Sequence, residues 1–259
     1  MKRLLLTGLL STLLGIGTLF ATRPVCADEA AWGTIKGQVV WGGQTVPEPK
    51  VVDLKDNKDR EHCLSKGPIV SEELVVNPKN KGVRWAFVWL EPEPGDPPLK
   101  IHPKLAAIEK KQIEVDQPCC KFEPHALGLR QGQEIVAKNS APVPHNINWT
   151  GGSKNPGNNV IIPAGGSYTI KDLQADKLSV KIVCNIHGWM GGWVRIFDHP
   201  YFAITDENGK FEIKHAPAGK FRLRGWHEAT GWVPDKKGIE IVIKGNEVTD
   251  AGDIKMETK

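Results

Sequence analysis

Ten short runs of β-branched, aliphatic and aromatic residues, none longer than nine residues, are set between Gly, Pro, Asn and Asp along almost the whole chain. They fall at residues 35–40, 82–90, 113–115, 134–139, 167–170, 178–184, 193–197, 211–213, 221–224 and 239–243. Runs this short, broken this often, cannot carry the continuous stripe of an amphipathic helix, so each reads as a strand. Many short strands separated by turn residues predict an all-β fold of sandwich type. One segment departs from the pattern. Residues 102–112 place Pro103 where a first helical turn accepts it and offer Leu105, Ala106, Ala107 and Ile108 as an apolar side, which predicts a helix. It follows a Pro-rich connector at residues 91–98 that marks a boundary, and a second boundary falls near residues 198–200.

The first 27 residues have a different composition from the rest. Lys2 and Arg3 precede an apolar run at residues 4–20, and Val25-Cys26-Ala27 supplies a small-residue cleavage site. This reads as an export signal, and the mature chain is expected to begin near Asp28. No later apolar run is long enough to span a bilayer, so the mature chain is expected to be soluble, without a membrane span, in an oxidising exported compartment such as the periplasm. Removing the signal also removes three basic residues and no acidic ones. The formal charge of +4 thereby falls to 31 basic against 30 acidic side chains, about +1. Without a basic stripe, nucleic acid is excluded as the expected partner. The roughly 230 residues that remain suffice for one large or two ordinary domains.

The stretch CNIHGWM at residues 184–190 carries three soft or borderline metal donors: the Cys184 thiol, the His187 imidazole and the Met190 thioether. A trigonal His₂Cys plane with a weak axial Met suits copper. The second imidazole is offered by His145 in VPHNINW, 39 residues upstream and directly before a strand-like stretch. That gap has room for the intervening strands of a Greek-key sandwich, with both loops at one end. A structural zinc site is the alternative, for which Met is an unusual donor, and a metal-free loop is another. A single Cys in the loop sets aside a binuclear copper centre.

Residues 113–198 resemble a complete small cupredoxin. The match runs through IEVDQ, GQEIVAKNSAPVPHNINW, IIPAGGSYTI and LSVKIVCNIHGWMGGWVRIFD, and the Cys-x₂-His-x₂-Met spacing resembles that of amicyanins. The resemblance implies that His145, Cys184 and His187 bind one type 1 (blue) copper in a plane, with Met190 axial, and that the protein transfers single electrons to transient redox protein partners. It also implies that the His187 ring edge is exposed in an apolar patch with Gly188, Trp189 and Gly191. Asn146, next to the first His, is then expected to tie the two ligand loops together.

The flanks carry a second resemblance. IKGQVVWGGQTVPEP at residues 35–49 is similar to the strand, Gly turn and second strand that open a carboxypeptidase regulatory-like, transthyretin-type sandwich. TDENGKFEI at 205–213, read as a hairpin turning at Asn208-Gly209, and PAGKFRLRGW at 217–226 are similar to its second half. Residues 32–98 and 200–257 are therefore expected to form one sandwich into which the cupredoxin domain is inserted, or beside which it packs. Two separate β units in series are the alternative. The longer string from Cys184 to Ile213 resembles exported cupredoxin-like proteins of methylamine-utilisation type.

The remaining donors have plainer readings. Cys63 is expected to pair with Cys119 or Cys120, while His62, Cys63, Cys120 and His125 form an alternative second metal set. His102, His199, His215 and His227 stand isolated, and the Trp-His-Glu run at 226–228 has no partner group beside it in sequence. Trp85 and Trp89 are read as core-filling residues of one strand, and Trp189 as a shield or contact at the metal loop. Four protein donors leave no open metal position, and no His-x-His pair is present, so an enzyme is not expected. A copper-binding or envelope-interaction module without a carrier role is the alternative function.

Overall fold

Strand β1 (Trp32–Trp41) opens the computed structural model, which describes residues 31–152 and 154–257. The export signal expected at residues 1–27 lies outside the described residues. The chain continues through a four-residue helix α1 (Arg60–Cys63), β2 (Phe87–Glu91) and a second short helix α2 (Pro103–Ala106). Eight strands follow: β3 (Gln112–Val115), β4 (Ala126–Arg130), β5 (Glu134–Lys138), β6 (His145–Trp149), β7 (Asn158–Ile162), β8 (Ser167–Ile170), β9 (Val180–Val183) and β10 (Gly191–Phe197). The last six are β11 (Phe202–Ile204), β12 (Lys210–Pro217), β13 (Gly219–His227), β14 (Gly231–Val233), β15 (Ile239–Ile243) and β16 (Val248–Met256).

The pairing sorts these strands into an all-β arrangement of four sheets. Two sheets are built from the two flanks of the chain together. In one, β1 lies between β12, antiparallel, and β16, parallel; in the other the order is β11-β2-β13-β14, with β15 also on β13. Trp89 of β2 is thus bonded on one side to Phe202 and on the other to Arg224. The middle strands pair among themselves as β4-β10-β9-β6-β7 and β3-β5-β8. Each pair of sheets encloses its own core, since an alternating strand buries one face only. Ile35, Val88, Tyr201, Phe211 and Ile254 fill the flanking sandwich, while Leu129, Ile147, Ile162, Ile182 and Ile196 fill the middle one.

A third cluster forms where the sandwiches meet. Phe87 and Trp89 from β2 pack with Ala126 and Phe197 from β4 and β10, and Trp193, Trp226 and Trp232 lean on them. The Arg195 guanidinium lies 4.0 Å from the Trp89 ring centroid, a cation–π contact for a charge that is itself buried.

Several expectations need correcting. The helix expected over residues 102–112 shrinks to α2, capped by His102 Nδ1 accepting from the Lys104 amide. Ala107 is already extended, because the chain must straighten to lay β3 parallel against β5. No second strand follows β1 at residues 44–49, where Pro47 and Pro49 have no amide hydrogen to give a ladder. Trp85 is not on the strand of Trp89; it sits in a turn at φ 70° and is only half-buried, while Trp89 is buried. Finally, the Asn208-Gly209 turn is present, but β11 and β12 belong to different sheets. The turn is a corner between layers, in which Asp206 Oδ1 accepts from the Asn208 and Lys210 amides.

Candidate metal centre

Both ligand-bearing loops lie at one end of the middle sandwich, and each is held by its own hydrogen bonds. Asn139 braces the first, donating to the carbonyls of Val143 and Ile162 at 2.9 Å each and accepting from the Ala141 amide. His145 therefore enters β6 as its first residue, pointing inward and fully buried. The second loop is closed by the Cys184 amide donating to Met190 carbonyl (3.1 Å) and the Met190 amide donating to His187 carbonyl (2.9 Å). Cys184 and Met190 thus face each other across the open end of the β9–β10 hairpin, and both are buried.

These supports bring the donors together. His187 Nδ1 lies 3.0 Å from His145 Nδ1, and Cys184 Sγ lies 3.8 Å from the same His145 nitrogen. Both separations are shorter than two metal–donor bonds of about 2.0 Å laid end to end, so one ion can touch all three atoms. Burial pushes the His145 pKa down to about 4, with the neighbouring His187 adding to the effect. Burial also lowers that of His187, against an opposing hydrogen bond from Asp59. Both rings are therefore neutral at pH 7, the form in which an imidazole donates to a metal. Buried, neutral, convergent nitrogens beside a thiol fit a soft or borderline cation.

Asn146 ties the loops together as expected. Its Oδ1 accepts from the amides of Asn185 (2.7 Å) and Ile186 (3.2 Å) and lies 3.3 Å from Cys184 Sγ. Its Nδ2 donates to Asn159 Oδ1 at 2.7 Å.

The surroundings of His187 correct the expectation of an exposed ring edge. The residue is 0% exposed, and its Nε2 is 3.0 Å from Asp59 Oδ2. The cause is the segment between β1 and β2, which leaves the flanking sandwich and lies over this end of the middle one, burying Leu54, Cys63 and Ile69 in its core. A disulfide from Cys63 in α1 to Cys120 fastens it. Trp189 completes the enclosure, its ring centroid 5.2 Å from that of His187 at a tilt of 55°, and it donates from Nε1 to Cys120 carbonyl at 3.0 Å. Gly188 remains exposed, and beside it a cavity of about 250 Å³ opens along Trp189, Met190, Lys121, Lys181 and Glu228.

The second metal set is not assembled. Cys63 and Cys120 are bonded to each other, so neither offers a free thiolate, although both lie close to His187. His125 instead pairs with Glu228, whose other oxygen accepts from Trp193 Nε1 at 2.7 Å. Asp59 is the residue that sequence reasoning missed; the only signal was its position one helical turn before a disulfide cysteine.

The fold and the buried donor set define a β-sandwich protein with a candidate mononuclear metal site. No protein-family model matches the sequence, and no curated protein matches it. Solved structures similar to the chain include a reduced amicyanin variant, 21% identical over 36% of this chain and 88% of that one, with a TM-score of 0.31. An amicyanin variant in its Cu(I) form is 19% identical over the same shares, with a TM-score of 0.30. A purple cupredoxin from Nitrosopumilus maritimus is 19% identical over 32% of this chain and 98% of that one, with a TM-score of 0.28.

Proposed function

We propose that the protein is an exported one-electron carrier of cupredoxin type, its middle sandwich holding one copper on His145, Cys184, His187 and Met190 and inserted in a regulatory-like sandwich made by the flanks. The observation that carries this reading is the convergence of two imidazole nitrogens and one thiol, from β6 and from the 184–190 loop that ends at the buried Met190, on one buried point. Copper, when bound, supplies a couple that changes by one electron. The chain's own contribution is rigidity: the braced loops keep the donors in place whichever way the electron moves, and four protein donors in a buried pocket leave no position for a substrate. Export suits the disulfide, which persists in an oxidising compartment, and among the described residues no helix is long and apolar enough to cross a membrane.

The covered His187 favours a second reading, a copper-holding module that does not hand electrons on, because the ring edge offers no contact to a partner. The two separate experimentally. Cu(II) loading of the mature protein is expected to give an intense thiolate-to-copper visible band and a narrow EPR splitting, both lost in Cys184→Ala. Bleaching by ascorbate and return on reoxidation, with rapid electron exchange between oxidised and reduced molecules, supports the carrier. Tight retention of Cu(I) without exchange supports the module, and a blue Cys184→Ala protein would overturn the ligand assignment.

A further inference from the structure

We infer that Asp59 is a positioning residue of the metal site, fixing the tautomer and orientation of His187 from a segment that belongs to neither ligand loop. The inference rests on the copper reading for its purpose, though not for its geometry. A carboxylate only accepts hydrogen bonds, so the 3.0 Å contact from Oδ2 places the imidazole proton on Nε2. That leaves a bare lone pair on Nδ1, the nitrogen that faces His145 Nδ1 at 3.0 Å. The opposite tautomer would turn a proton toward the donor cluster and leave two acceptors facing each other at Asp59.

Asp59 is itself held. Its amide donates to Asn57 Oδ1 at 2.9 Å, and its carbonyl accepts from the Cys63 amide at 2.9 Å, so it opens the turn that ends in the disulfide. Cys63 is bonded to Cys120, whose carbonyl takes the Trp189 indole N–H, and the Trp189 ring leans on His187. The hold on the ring thus runs in a closed circuit, from His187 through Asp59 and α1 to the disulfide and back through Trp189. A surface ion pair would show none of this: the Asp59 side chain is 15% exposed and the ring 0%. Its 128-residue separation from His187 makes the contact a product of the covering segment alone.

The test uses the mature protein, disulfide intact by thiol titration, with Asp59→Ala and Asp59→Asn. Nitrogen-15 NMR of the metal-free protein reads the tautomer directly. Wild type is expected to carry the His187 proton on Nε2, Asp59→Ala to lose that preference, and Asp59→Asn to keep it through its remaining acceptor oxygen. With copper, removal of such a supporting contact is expected to weaken binding about 10- to 100-fold in Asp59→Ala. Asp59→Asn is expected to raise the reduction potential, because a negative charge beside the site is gone. An unchanged tautomer in Asp59→Ala, or copper affinity and potential equal to wild type, overturns the inference. Failure of wild type to take up copper sinks the functional reading instead and leaves the metal-free NMR result to decide Asp59.

Discussion

Asn146 shows how much one uncharged side chain can hold. Its Oδ1 serves two backbone amides of the 184–190 loop, and its Nδ2 is anchored on β7 through Asn159. Asn146→Ala would take the shared acceptor from two partly buried backbone amides at about 0.5–1.5 kcal/mol each, so a loss of about 1–3 kcal/mol is expected in denaturant titration, together with weaker metal binding. This role was legible in the sequence because Asn146 adjoins His145; that of Asp59 was not, because nothing local brings residue 59 to residue 187. His199 gives a prediction of another kind. Burial lowers its pKa to about 4, with Asp198 opposing, so the unfolded chain takes up this proton first as pH falls. The contribution of His199 to stability is therefore complete above about pH 6.5 and lost on the way down to about pH 4, with a slope approaching 1.4 kcal/mol per pH unit. In metal-free protein, His199→Gln is expected to flatten the measured stability curve by about one proton across that window.

At the level of elements, breakers and β-branched runs marked strands well and their partners poorly. Residues 167–170 and 239–243 coincide with β8 and β15 because alternation and flanking turns agree there. β16 went unread: VTDAGDIKM has two aspartates and a glycine at its centre and buries only Ile254 and Met256, so its pairing beside β1 is what marks it as a strand. Residues 102–112 failed the other way, apolar enough for a helix yet pulled straight by the ladder to β5. The corner at Gly209 is a point where local chemistry and tertiary packing coincide. It adopts φ 74°, and a Cβ there would stand 2.3 Å from the Val39 carbonyl oxygen. Gly209→Ala is expected to cost at least about 2 kcal/mol by thermal or chemical unfolding, since the left-handed strain alone is about 1–2 kcal/mol before the clash is counted.

For the whole molecule, the important fact is that strands from both flanks share sheets while the middle strands pair only with one another. The seam between the two sandwiches is aromatic, and Trp89, 2% exposed with Phe197 and Trp232 about it, sits at its centre. Trp89→Ala is expected to lose about 3–5 kcal/mol in an unfolding titration. The Cys63–Cys120 bond also has a mechanical meaning. Two strings of chain, before β3 and after β10, would by themselves leave an axis about which one body could swing against the other. The covering segment, riveted to Cys120, is a third leg of a tripod that stands with the aromatic seam against that swing. Cutting the rivet would leave the aromatic seam to resist that swing alone.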